Sequence, residues 1–125
     1  MNEYHKRLLG APDLDTQGCA VCGRWSPTNL HHIIPRSQGG GGVSPLVRLC
    51  GVGNTLYDDS RRLFHHGMAH QMRLHFDYRD GQWWYLETQE PTKYEKALEM
   101  GGWRPLRKVP YIRTVAGGDF GEIPY

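Results

Sequence analysis

The chain has 125 residues, 16 of them glycine and 8 proline, which is one domain's worth of sequence with many turns and few long regular elements. A net charge of +2 is too small to establish a nucleic-acid partner. Residues 1–60 balance at five basic and five acidic, and the excess lies late, where Arg104, Arg107, Lys108 and Arg113 follow one another without an acid between them. No apolar run approaches the roughly 18–20 residues of a membrane span and the N-terminus lacks the apolar core of a signal peptide, so a soluble cytoplasmic protein with no membrane partner is expected.

Residues 1–18 read as an arm, with at most a short helical turn over 4–9. Cys19-Ala20-Val21-Cys22-Gly23 then has the form of a zinc knuckle: two thiolates two residues apart can hold one ion, and the glycine accepts the positive φ of a tight turn. An odd number of cysteines (Cys19, Cys22 and Cys50) argues against a disulfide framework. The competing reading, a redox pair or two buried free thiols, lacks the surrounding βαβ pattern. Residues 28–34 lie between two prolines and are β-branched or apolar enough for a strand. His31 and His32 would point to opposite faces of a regular strand, and can share a site only at its end, where twist or a bulge brings the faces round. The glycine run at 39–42 makes residues 36–42 a loop, and 43–50 offers a second strand, giving a hairpin-like pair with a long connection.

From Leu63 a short helix is expected to about Arg73, although Gly67 costs it about 1 kcal/mol relative to Ala. Residues 74–78 and 82–86 are aromatic runs flanking Arg79-Asp80-Gly81, and Asp-Gly between such runs is a strong hairpin signal. Residues 91–100, with proline in the first turn and Gly101-Gly102 at the end, predict a further helix. The last ten or so residues, 116–125, are expected to be disordered.

Five of the seven histidines fall in His31-His32 and His65-His66-Gly67-Met68-Ala69-His70. On a helix, His66 and His70 lie on one face and present two imidazoles to one ion. Adding His31 makes a three-ligand site with open coordination, the form of a catalytic site, and leaves His32 beside the ion as a proton acceptor for water. Cys19, Cys22 and Cys50 need a fourth partner to close a structural zinc site. His65, beside His66 but aimed elsewhere on the helix, is the first candidate and His75 the alternative.

In order, the Cys-x-x-Cys-Gly of 19–23, the His-His-Ile-Ile-Pro-Arg-Ser-Gln-Gly-Gly of 31–40, the Leu-Cys-Gly-x-Gly of 49–53 and the His-His-Gly-x-x-His of 65–70 resemble the HNH endonucleases with the ββα-metal fold, especially small phage-type members carrying a structural zinc. The resemblance spans about residues 19–70. It implies an α+β fold: a small ββα-metal core with a zinc knuckle, to which the aromatic hairpin and the C-terminal helix are added. One domain over 1–125 is expected, with the motif core at about 19–75 and an extension at about 76–115. The resemblance further implies a DNA endonuclease in which His32 is the general base and His31, His66 and His70 hold a catalytic Mg2+, Mn2+, Ni2+ or Zn2+ at the scissile phosphate. A cysteine often precedes the helix histidine in phage relatives; here His65 stands in its place. The family's middle asparagine falls near Pro45, so Asn54, the nearest asparagine, is assigned its loop-steadying role.

Phosphate contacts are expected from Arg36, Arg61, Arg62, Arg73, Arg104, Arg107 and Lys108. The tryptophans Trp83, Trp84 and Trp103 could stack bases, but core packing is the favoured reading. A phage terminase or another packaging protein is the partner the resemblance implies. The principal alternative function is a non-catalytic zinc-stabilised module that binds DNA or protein, for which His32 would be dispensable; a metal hydrolase of another substrate is a further one.

Overall fold

The computed structural model describes residues 3–106 as a small α+β protein with two antiparallel sheets and few, short helices. Arg107, Lys108, Arg113 and the tail at 116–125 lie outside the described residues. Among the described residues no helix is long and apolar enough to cross a membrane.

The first sheet pairs β1 (Thr28–His32) with β2 (Leu46–Cys50), in a register that sets Thr28 opposite Cys50 and His32 opposite Leu46. The strand predicted over 28–34 therefore ends at His32. Residues 33–45 return by way of a 3-10 turn at Arg36–Gln38, one turn of regular structure inside the stretch expected to be only loop. The arm before the knuckle is also tied down: Leu14 bridges Val47, and its N–H reaches the Leu46 carbonyl. Leu8, Ile34, Val47 and Leu49 are fully buried where these pieces meet.

After β2 the chain turns through 51–64 into α1 (His65–His70), which packs on β1, β2 and on β3 (Leu74–Arg79) of the second sheet. The expected helix to Arg73 is cut short. Met72 adopts φ 59, its N–H bonds the Ala69 carbonyl and the Arg73 N–H bonds the Met68 carbonyl, the paired bonds of a Schellman end. A left-handed methionine costs roughly 1–2 kcal/mol, so packing rather than local preference sets this stop. Gly67 is required for approach: a Cβ there would collide with the Thr55 carbonyl and come within 2.9 Å of the Leu56 Cα. Its entropic cost thus brings the 55–56 backbone directly against the helix.

The second sheet is β3, β4 (Gln82–Glu87) and β5 (Arg104–Pro105), antiparallel in that order. Asp80 and Gly81 form its two-residue turn, both at positive φ, as the Asp-Gly pair requires. Phe76, Trp83 and Leu86 are buried along it, and the Trp83 indole donates to the Pro12 carbonyl, so this tryptophan packs as core. The helix expected over 91–100 is reduced to α2 (Tyr94–Ala97). Its first residues are engaged otherwise: the Thr92 N–H bonds the Met72 carbonyl and both Thr88 and Thr92 hydroxyls donate to the Glu90 carbonyl.

Candidate metal centres

Two clusters of ligand side chains form where β1, β2 and α1 converge. In the first, Cys19 and Cys22 come from the knuckle, Cys50 from the last position of β2 and His65 from the first of α1, with all four ligand atoms within 4.8 Å of one another. The knuckle turns because the Gly23 N–H bonds the Cys19 carbonyl, with Gly23 at φ 81. Cys22 Sγ lies 3.8 Å from Cys50 Sγ, and His65 Nδ1 lies 3.7 Å from Cys19 Sγ and 3.4 Å from Cys50 Sγ. A tetrahedral zinc with Zn–S about 2.3 Å and Zn–N about 2.0 Å has S···S edges near ~3.8 Å and S···N edges near ~3.6 Å. The spacing fits that ion, and the three sulfurs are free thiols.

Charge within the cluster is arranged for a cation. Hydrogen bonds from Cys22 and Cys50 hold the Cys19 thiol low, while hydrogen bonds with Cys19 and Cys22, and then burial, push the Cys50 thiol up. Burial works against a charge on His65, but hydrogen bonds to Cys19 and Cys22 outweigh it and raise the imidazole to about 10. Zinc is held by thiolates and a neutral imidazole, so an ion bound here would displace protons from the cluster. Two outer contacts steady it: the His65 N–H points to Cys50 Sγ, and His65 Nε2 lies 3.4 Å from Glu87 Oε2. His75 is elsewhere, buried against Tyr94 with Nε2 on the Met72 carbonyl. Between the two candidates for the fourth position, the chain brings His65.

The second cluster is His31, His66 and His70, whose ligand nitrogens also lie within 4.8 Å of one another. Their rings stand nearly perpendicular, with centroids 4.5–5.2 Å apart, so they converge edge-on rather than stack. Burial, then the neighbouring His66, His70 and His32, lowers His31 to about 3; burial likewise lowers His66. Neutral imidazole is the form that ligates a metal. His66 Nδ1 donates to the Gly53 carbonyl at 2.7 Å, which leaves its Nε2 for the centre. Three nitrogens with no fourth protein donor among the described residues make an open site, unlike the closed Cys3His set.

His32 occupies the last position of β1 and lines the cavity that His31, His66 and His70 also line, so the strand end does bring both neighbours to one space. Asn54 does not take the expected part. It is exposed in the turn after β2, and its side chain makes no hydrogen bond among the described residues. Asn29 does that work instead: its Oδ1 accepts the Gly53 N–H at 3.0 Å, fixing the residue whose carbonyl orients His66. The sequence signal for Asn29 was a polar side chain mid-strand, too common to single out.

The expected phosphate contacts divide. Arg36 lines the histidine cavity. Arg62 lies 3.7 Å from Asp58, and Arg61, at φ 67, is exposed in the same turn. Arg73 donates to the Thr88 carbonyl, and Arg104 covers the Tyr85 ring on the second sheet. Lys93, not anticipated, lines the cavity with Arg36. Comparison of the chain with protein families, with curated proteins and with solved structures finds no match.

Proposed function

We propose that the chain is a metal-dependent nuclease of the HNH, ββα-metal type, hydrolysing phosphodiester bonds of DNA at the three-histidine centre. What carries the reading is the convergence of His31, His66 and His70 on one point, with His32 lining the same cavity. The order β1, β2, α1, with ligands from β1 and α1, supports it. When bound there, a divalent ion supplies Lewis-acid stabilisation of the scissile phosphate and of the leaving 3′ oxygen.

The chain's own residues do the rest. His32 accepts the proton of the attacking water, Arg36 holds a flanking phosphate, and Asn29, through Gly53, keeps His66 Nε2 directed inward. The Cys3His cluster plays no part in the reaction; it joins the knuckle to β2 and α1, where it holds His65 and so sets the helix that carries His66 and His70.

The test is nicking of supercoiled plasmid with Mg2+, Mn2+, Ni2+ or Zn2+ added in turn, alongside His32→Ala. Nicking with at least one ion is expected, slowed about 100-fold or more in the variant, the scale of a lost general base. No nicking with any ion, or full activity in His32→Ala, would leave the non-catalytic zinc module as the better account.

A further inference from the structure

Met72 stands where a glycine would be expected. It follows the end of α1 with φ 59, in the left-handed region that a side chain disfavours and that glycine adopts freely. Three hydrogen bonds hold the backbone there: the Met72 N–H reaches the Ala69 carbonyl, and the Thr92 N–H and His75 Nε2 both reach the Met72 carbonyl. On the Met72 side every one of these bonds is made by a backbone atom, so a glycine would keep them all and relieve the strain.

The side chain retained at that cost is not core. It is 47% exposed and lies outside the apolar cluster to which Met68 and Leu74 belong. It lines, instead, the cavity that His31, His66 and His70 also line, two positions along the chain from His70. A second exposed apolar side chain in the same wall is Leu30, next to His31 and 40% exposed, although the residues on either side of it in β1 are more buried. Backbone strain that the packing does not need, at the mouth of a ligand cluster, points to a role in binding.

The charge of the wall says what kind of ligand this is. Arg36 and Lys93 line the cavity, and Glu95 is the sole acid among its lining residues. Among the described residues neither cation has a hydrogen-bond or ion-pair partner for its side chain. The occupant that fits is anionic and yet offers apolar surface, as a nucleic-acid strand does where sugar and base alternate with phosphate. Leucine and methionine are among the side chains that make apolar contacts of this kind. We propose that Met72 and Leu30 contact the sugar and base of a nucleotide adjoining the phosphate at the three-histidine centre; this substrate-binding role rests on the nuclease reading above.

The test sets stability against binding. Melting temperature, and fluorescence anisotropy with a labelled DNA duplex over a series of salt concentrations without added divalent ion, are measured for wild type, Met72→Gly and Met72→Leu. Met72→Gly should melt no lower than wild type yet bind the duplex roughly fivefold more weakly, the scale of burying about half of a methionine side chain. That loss should be the same at every salt concentration, because no phosphate contact is removed. Met72→Leu, apolar and of similar volume, should bind within about twofold of wild type. Unchanged affinity in Met72→Gly, a lowered melting temperature in that variant, or an equal loss in Met72→Leu would overturn the proposal. Plasmid nicking on the same samples separates the two readings. Nicking by wild type with affinity unchanged in Met72→Gly defeats only the contact, whereas weakened binding in Met72→Gly without nicking by wild type under any ion keeps the contact and defeats the nuclease reading.

Discussion

The two ligand clusters share α1, on which His65 and His66 are adjacent residues, and still differ in every property that decides what a metal can do there. One has four donors, three of them sulfur, with Cys19 and Cys50 buried and His65 tied to Glu87. The other has three imidazoles, one of them exposed, facing a cavity. Successive helical residues diverge by about 100°, and that turn alone sends His65 to the closed cluster and His66 to the open one. A closed and an open ligand set can therefore be built from adjacent residues of one helix, and substitutions at the two should separate cleanly.

The largest effect belongs to the closed cluster. Cys22→Ser should release the zinc and destabilise the chain by about 4 kcal/mol or more, the scale associated with a lost structural metal, as checked by metal content and urea unfolding. His70→Ala in the open cluster, where the side chain is exposed, should abolish nicking yet change stability by no more than about 0.5 kcal/mol. Comparable unfolding in the two variants would erase the distinction.

A smaller effect sharpens it further. Asn29→Leu removes the acceptor for the Gly53 N–H and should weaken divalent-ion binding at the histidine centre by about 10–100-fold, the usual weight of an outer hydrogen bond. Asn29→Asp, which keeps the acceptor oxygen, should restore most of it. Zinc in the Cys3His cluster should be unchanged in both, which isothermal titration with Mn2+ and metal analysis together would show.

The smallest effect concerns pH, at two histidines that belong to neither ligand cluster. Burial lowers the pKa of His5 and of His75, so the unfolded chain binds more protons than the folded one once pH falls below the ordinary histidine value of about 6.5. The penalty is absent above that value and grows as pH falls toward the folded-state pKa values. His75→Gln should accordingly lose less stability than wild type between neutral pH and pH ~5, as followed by the urea midpoint. An identical acid response would mean that His75 is not held neutral by the fold.

What the sequence made legible was chemistry with short spacing. The knuckle, the histidine pair four apart and the Asp-Gly turn each depend on residues a few positions apart, and the structure brings each set together. Features set by distant contacts were not legible. Met72 ends α1 in a conformation that glycine ordinarily signals; α2 begins late because Thr92 is hydrogen-bonded to Met72; Asn29 serves His66 only because β2 returns beside β1 and places Gly53 within reach. Lys93 joins Arg36 at the cavity for the same reason, across 57 positions of sequence.

The division between a closed staple and an open reaction centre is tested most directly by passing the protein over a chelating resin and then measuring retained zinc and plasmid nicking on the same sample. About one zinc per chain should survive, since four converging donors hold a metal more tightly than three. The protein should stay folded, nicking should stop, and added Mg2+ or Mn2+ should restore it. Nicking that persists with only the cysteine-bound zinc present, or that no added ion restores in the folded protein, would contradict the account.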